Sequence, residues 1–218
     1  MSLSIAKTAA GLGAASGASG LGYLSYHYAF SDDPKIAISE LFKREGRMLL
    51  TKESDSEQWT ERWKAYLGGD SNIWKLDDYD AKKGDKDKAP DSFKNKCLSN
   101  STVEVSGIED SLYLEVVKNC SKEFKINDLV TGDSKITNLD SSSGSNEDWK
   151  VAWKNYLADN KDSNPWELTD WSTKKAASGD QISDDLKTKC NTKKDEKVFG
   201  SRDPKFSNFV RWCSKVSG

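Results

Sequence analysis

The stretch Glu57-Gln-Trp-Thr-Glu-Arg-Trp-Lys-Ala-Tyr-Leu67 decides the fold, because it returns 90 positions later as Glu147-Asp-Trp-Lys-Val-Ala-Trp-Lys-Asn-Tyr-Leu157. In both stretches the large apolar residues fall at positions i, i+4, i+7 and i+8, which is one face of an α-helix. The sequence therefore predicts the same amphipathic helix twice, and a repeated element of this kind indicates a repeated architecture.

Two further matches extend the repeat toward the C-terminus. Residues 91–97 return as residues 184–190, and residues 117–122 return as residues 210–215, both 93 positions later. The spacing predicts two homologous units of roughly 85 to 90 residues each.

The predicted fold class is mainly α. An N-terminal membrane helix within residues 1–31 would precede two tandem small helical units, each with one disulfide. Residues 32–122 are called the first repeat below, and residues 123–218 the second repeat.

The composition describes a polar chain that can still fold. Hydrophobic residues make up 35% of it and charged residues 31%, with a net charge of -2 at pH 7. Lysines and acids are interspersed along the chain and form no single basic face, which argues against nucleic acid as a partner.

The repeats lack the residues on which most catalytic sites depend. Histidine occurs once, at His27, so neither repeat contains one. This excludes His-based acid–base catalysis, Ser-His and Cys-His nucleophiles and most zinc sites from the repeats. Asp77, Asp78 and Asp80 have calcium-like spacing, but only Asp78 has a counterpart, Asp170, so we interpret them as surface acids. The sequence predicts no catalytic, cofactor-binding or metal site.

The N-terminal segment carries no Asp, Glu, Lys or Arg from Thr8 to Ser31. A helix over residues 8–30 would be about 34 Å long, which is enough to cross the hydrocarbon of a bilayer. A flexible Gly/Ala linker and a cleaved secretory signal are alternative interpretations. The aromatic residues at its far end favour an uncleaved signal anchor, since such residues sit at membrane interfaces: Tyr23, Tyr26, Tyr28 and Phe30.

Charges on the two sides of this segment predict its orientation. Lys7 precedes it, and Asp32 and Asp33 follow it. By the positive-inside rule the N-terminus would lie in the cytoplasm and the C-terminal part outside the cell. The predicted location is the cell membrane, with a single pass through it.

Local signals also predict where elements begin. Ser56 and Asn146 are the predicted N-caps of the repeated tryptophan helix, and Pro165 predicts another helix start. An amphipathic stretch opens each repeat, at residues 36–50 and 126–136.

The repeated tryptophans allow two interpretations, a stacking platform for sugars or bases and a hydrophobic core. Small units bury limited area, and aromatics at helical spacing supply much of it, so we predict that Trp63 and Trp153 are core residues. Trp212 has no aromatic counterpart, because Asn119 occupies the matching position. We therefore predict that Trp212 is an exposed contact of the second repeat.

The cysteines indicate a disulfide framework, because their number is even and the predicted context is extracellular. Cys97 and Cys120 are 23 residues apart, and so are Cys190 and Cys213. A unit that once stood alone had only two such partners, so the duplication predicts the pairs Cys97–Cys120 and Cys190–Cys213. A zinc site, for which no C-x-x-C pair is present, and four free thiols in a cytoplasmic protein are the alternatives.

Several segments resemble a known group of proteins. The pattern consists of Lys7-Thr-Ala-Ala-Gly-Leu-Gly-Ala14, then Leu21-Gly-Tyr-Leu24, Glu40-Leu-Phe-Lys-Arg-Glu-Gly-Arg-Met-Leu-Leu50, residues 59–67 and the four cysteines. It is similar to large paralogous families of uncharacterised proteins in haemotropic mycoplasmas. The resemblance reaches most of the chain. It implies a variable protein exposed to the host's plasma, and it brings no catalytic residues with it.

The sequence thus predicts a membrane-anchored surface protein that serves host interaction or antigenic display without catalysis. Its expected partners are the membrane, through the N-terminal helix, and host proteins or the host cell surface. One alternative is a ligand-binding accessory protein for uptake, which needs a large apolar pocket between the repeats. The other is a carboxylate-based surface hydrolase, which needs two acids about 5–10 Å apart in a cleft.

Overall fold

The computed structural model describes residues 35–69, 71–141, 146–177 and 181–217. Within these residues the chain is mainly α-helical, which confirms the predicted class, and no helix among them is long and apolar enough to span a bilayer. The predicted anchor within residues 1–31 lies outside the described residues.

The first repeat begins with a two-residue strand and ends with a helix that leads into the second repeat. Its elements are β1 (Ile36–Ala37), α1 (Ile38–Arg44), α2 (Ser56–Leu67), α3 (Tyr79–Lys82), α4 (Asp91–Asn100), β2 (Glu104–Val105) and α5 (Ser111–Cys120).

The second repeat has the same order, with one extra strand pair. Its elements are β3 (Phe124–Lys125), α6 (Ile126–Gly132), β4 (Ile136–Asn138), α7 (Asn146–Asp159), α8 (Trp171–Ala176), α9 (Asp184–Lys193), β5 (Lys197–Val198), α10 (Pro204–Cys213) and β6 (Ser214–Val216).

Short antiparallel pairs close each repeat. Strand β1 pairs with β2, and β3 pairs with β5 in the same way, so the opening strand of each repeat joins the strand that precedes its last helix. In the second repeat β4 also pairs with β6, and the first repeat has a single bridge there, between Leu49 and Ser121. The prediction of a mainly α fold did not include these pairs.

Side-chain caps explain where several helices begin. Helix α2 begins at Ser56 because the carboxylate of Asp55 accepts a hydrogen bond from the Glu57 amide at 2.7 Å. The predicted cap, Ser56, is thus the first helical residue, and Asn146 is likewise the first residue of α7. Asp55 takes the capping position in place of Ser56, and its negative charge also complements the positive end of the helix dipole.

The amphipathic stretch that opens the first repeat, residues 36–50, is helical only as far as Arg44, because Gly46 then adopts φ +59°, a conformation that turns the chain away. The prediction that Pro165 starts a helix was wrong. This residue lies in a tight turn that continues through Glu167 at φ +53°, and α8 begins only at Trp171.

Each repeat has its own hydrophobic core. One cluster draws its buried residues from Ile38 to Cys120, and the other draws them from Ile126 to Cys213. The tryptophan helix is central to both, since Trp63 and Trp153 are fully buried. The prediction that these tryptophans are core residues is confirmed.

Candidate functional site

The two repeats meet at a cleft lined by acids. The cleft has a volume of about 210 Å³, and its lining includes acids of both repeats together with two lysines: Asp55, Glu57, Glu61, Glu123, Asp128, Lys125 and Lys197. The acids come from the first turns of α2, from the chain between the repeats and from α6. The cleft is smaller than the roughly 300–1,000 Å³ of small-molecule pockets.

Glu123 is the charged centre of this junction. Its carboxylate binds the guanidinium of Arg62 at 2.5 Å and the ammonium of Lys197 at 3.3 Å. The side-chain amide of Gln58 also holds its backbone, donating to the Glu123 carbonyl at 3.1 Å and accepting from its N–H at 2.9 Å. The acid is thereby fixed by residues of both repeats.

Arg62 is buried, with 5% of its surface exposed, so its charge needs partners within the protein. Besides the ion pair, it donates a hydrogen bond to the Lys118 carbonyl at 3.0 Å. Its guanidinium also lies 5.0 Å from the centre of the Phe199 ring, which is a cation–π contact with the second repeat.

A second contact of the junction is between backbones. Gly200 packs so closely on Gly46 that a Cβ at Gly200 would overlap the Gly46 carbonyl oxygen. The amide of Ser201 donates to the same oxygen at 3.3 Å, and Arg202 pairs with Glu45 at 3.3 Å. These contacts join the turn after α1 to the turn before α10.

The junction uses residues that are not repeated. Arg62 aligns with Ala152, Glu123 with Val216 and Phe199 with Ser106. The comparison of the two repeats therefore gave no signal for this site.

Three of the five carboxylates of the cleft already have roles within the protein. Asp55 caps α2, Glu61 lies 3.5 Å from Lys64, and Glu123 binds two cations. Such an arrangement is that of a structural junction with an acidic rim.

The predicted cysteine pairs are present. Cys97 is bonded to Cys120 and Cys190 to Cys213, with Cα–Cα distances of 5.6 and 5.5 Å. Each disulfide ties the last two helices of one repeat together, α4 to α5 and α9 to α10. A cavity of about 150 Å³ lies beside Cys190 and Cys213, again below the size of a typical ligand pocket.

The prediction for Trp212 was wrong, because this side chain is only 3% exposed. Its indole donates to the Asp159 carboxylate at 2.8 Å and lies 4.9 Å from the rings of Tyr156 and Trp166. It is a core residue of the second repeat.

Trp212 is buried because an aromatic ring has moved from one helix of the core to another between the two repeats. In the first repeat Phe93 of α4 lies 5.2 Å from Tyr66 and 5.8 Å from Trp74. The position of Phe93 is taken by Leu186 in the second repeat, which leaves room in the core. Trp212 fills that room from α10, where the first repeat has Asn119.

Two of the three acids with calcium-like spacing are separately engaged. Asp78 accepts a hydrogen bond from the Ser92 hydroxyl at 2.6 Å, and Asp80 pairs with Lys83 at 2.6 Å. Asp170 accepts from the Ser183 hydroxyl, also at 2.6 Å.

Sequence reasoning missed one polar network that both repeats share. The Tyr66 hydroxyl donates to the Asn72 side chain at 2.9 Å and accepts from the Trp74 amide at 3.0 Å. Tyr156 and Asn164 repeat this arrangement at 2.9 Å. The signal was present in the sequence, because Asn-x-Trp-x-Leu occurs at residues 72–76 and again at 164–168.

Burial raises the pKa of both tyrosines. Desolvation raises the pKa of Tyr66 and of Tyr156 above the ordinary value of 10.0, since the charged phenolate is disfavoured away from water. Both hydroxyls therefore stay protonated and hold the turn after the tryptophan helix.

Comparisons of the chain with protein-family models, with curated protein sequences and with solved structures found no match.

Proposed function

We propose that this chain is a membrane-anchored surface protein that displays two disulfide-bonded helical repeats outside the cell, for host interaction or antigenic display and not for catalysis. The observation that carries the proposal is the pair of disulfides. Disulfides persist in oxidising compartments and are rare in the cytosol, so the repeats belong outside the cytoplasm. The charge-free segment from Thr8 to Ser31 supports an anchor on the N-terminal side.

The division of residues between core and surface supports a display role. The aromatic residues that the repeats share are buried, and so is the tyrosine–asparagine network. Several exposed positions differ between the repeats, as in Lys75 against Glu167. A largely shared core with a changing surface suits recognition or antigenic variation, as the resemblance to mycoplasma surface families also implies.

Protease treatment of intact cells that produce the full chain tests this proposal. We expect cleavage of both repeats in intact cells, and two intramolecular disulfide-linked peptides on non-reducing mapping. A variant in which Lys7 becomes Glu and both Asp32 and Asp33 become Lys reverses the charge difference, so its repeats should become protected. Repeats of the natural chain that stay protected, or four thiols that react with alkylating reagent, would refute the proposal.

A carboxylate-based surface hydrolase is the second candidate, and the acid-lined cleft between the repeats is the observation that favours it. Its test is release of sugar from host cell-surface glycans by the purified chain. Glu57→Gln and Glu61→Gln should abolish such activity if these carboxylates act in catalysis, whereas Glu53→Gln, outside the cleft, should not. If the natural chain releases no sugar, the result supports the display role.

A ligand-binding accessory protein is less well supported by the same cleft. Uptake of a small molecule calls for a large apolar pocket, and this cleft holds about 210 Å³ and is lined mostly by charged side chains.

A further inference from the structure

The junction between the repeats is a head-to-tail contact, in which two different surfaces meet. The first repeat contributes Glu45, Gly46 and Arg62 to a docking face, and Glu123, the residue that directly follows this repeat, completes it. The second repeat contributes a docking turn, residues 199–202, which precedes α10. Because the repeats are homologous, each surface has a counterpart on the other repeat that the internal junction does not use.

The counterpart of the docking face lies on the second repeat. The hydrogen bonds Leu50 N–Cys120 O and Leu139 N–Cys213 O align the two repeats here, so that Glu45 and Gly46 correspond to residues 134–135. Arg62 itself corresponds to Ala152, which is buried. Its neighbour Glu61, which lines the cleft together with Glu123, corresponds to Val151, and Glu123 corresponds to Val216. We name residues 134–135, Val151 and Val216 the outer face.

The outer face is exposed and apolar where the docking face is charged. Val151 is 59% exposed and Val216 is 55% exposed, which places both among the most exposed large aliphatic residues of the described chain. A lysine, Lys135, stands at the edge of this face, at the position of Gly46. Among the described residues nothing covers these side chains.

The counterpart of the docking turn lies on the first repeat, at residues 106–109, which we name the outer turn. Its glycine, Gly107, aligns with Gly200, and a Cβ there would meet no atom within 4 Å. Ile108, which aligns with Ser201, is 43% exposed. Glu109 replaces Arg202, so the turn offers an apolar side chain next to an acid.

The outer face and the outer turn complement each other. Two exposed valines on one surface match an exposed isoleucine on the other, and Lys135 matches Glu109 in charge. Burial of such aliphatic groups against one another is favourable, and exposed apolar groups grouped on one surface mark interaction sites. We propose that copies of this chain associate head to tail, with the outer face of one copy bound to the outer turn of the next.

The outer contact uses side chains more than backbone. At the internal junction the Gly46 carbonyl accepts from the Ser201 amide, but the corresponding Lys135 carbonyl already accepts from the Ser217 amide at 2.8 Å. The contact is also small, since few residues contribute to it, so each link is weak. Anchoring of many copies in one membrane raises their effective concentration, and a heterologous contact of this kind produces open rows.

Site-specific cross-linking tests the orientation of the contact. The full chain is prepared in detergent as two variants, Lys135→Cys and Ile108→Cys, whose positions correspond to the touching residues Gly46 and Ser201. Mild oxidation of the mixed variants should give a reducible dimer, and a chain with both substitutions should give a ladder. Each variant alone should stay monomeric. Dimers of one variant alone, or no dimer in the mixture, would overturn the proposal. Absence of a dimer is also the result expected if residues 1–34 of the same molecule cover the outer face.

Charge substitution tests the apolar part of the contact. Val216→Asp and Ile108→Asp should each weaken association of the full chain at least about tenfold in sedimentation, because a charge would be buried without a partner. Leu114→Asp is the matched control, since Leu114 is 51% exposed on α5 and belongs to neither outer surface. Intact disulfides and unchanged near-UV spectra show that each variant is folded. Equal association of all three variants, or a natural chain that is monomeric at every concentration and binds only another protein, would overturn the proposal.

Discussion

Replacement of Gly200 by alanine should destabilise the protein more than the same change at Gly107. Both glycines have positive φ, +133° and +157°, so an alanine at either position costs about 1–3 kcal/mol of backbone strain. At Gly200 the added Cβ would also overlap the carbonyl oxygen of Gly46 and lie 2.9 Å from the carbonyl carbon of that residue, whereas at Gly107 it would meet no atom within 4 Å. Overpacking of this kind adds about 1–3 kcal/mol. The expected loss is therefore about 2–6 kcal/mol for Gly200→Ala and about 1–3 kcal/mol for Gly107→Ala.

Urea unfolding followed by tryptophan fluorescence measures both losses, because all eight tryptophans lie in the repeats. Amide hydrogen exchange then locates the difference. The Ser201 amide, which donates to Gly46, should exchange faster in Gly200→Ala and remain protected in Gly107→Ala. Equal losses of stability in the two variants would show that the repeats do not meet at Gly46 and Gly200, and the reasoning about the junction would fail with it.

Three further changes have defined outcomes. Trp63→Ala should lower the free energy of unfolding by about 3–5 kcal/mol, while Leu114→Ala at the surface should change it by less than about 0.5 kcal/mol, as thermal melts will show. Replacement of Cys97 and Cys120 by serine opens a loop whose ends are 23 residues apart and should cost roughly 3 kcal/mol in urea unfolding; an unchanged midpoint would contradict this. Because the folded-state pKa of Tyr66 is raised, its contribution to stability is complete below its unfolded pKa and is lost as pH rises through the folded value. Urea midpoints should therefore fall as the pH rises above about 10, and those of Tyr66→Phe should fall less steeply.

The parts of the fold that both repeats share could be predicted from the sequence. The tryptophan helix follows from apolar spacing, and its burial follows from the small size of each repeat. The disulfide pairing follows from duplication, since the separation of 23 residues occurs in each copy. A shared feature is seen twice, so each copy is evidence for the other.

The parts that only one repeat has could not be predicted in the same way. Trp212 was predicted to be exposed because the matching residue of the first repeat, Asn119, is polar. The residue whose small side chain makes room for it in the core, Leu186, lies on another helix. The ion pair of Arg62 with Glu123 depends on a tertiary contact between residues 61 positions apart. The turn at Pro165 depends on Glu167 at positive φ, a conformation that sequence signals for a helix start do not reveal.

The exchange of rings between Phe93 and Trp212 restricts how the two halves of this gene can recombine. A crossover that placed α9 of the second repeat before α5 of the first would combine Leu186 with Asn119 and leave a hole in the core. The opposite crossover would combine Phe93 with Trp212 and overfill it. Removal or addition of a large buried ring costs several kcal/mol, which is a large share of the stability of a small domain. Gene conversion between the repeats is therefore tolerated only when both helices are transferred together, and each repeat preserves its own version of the core.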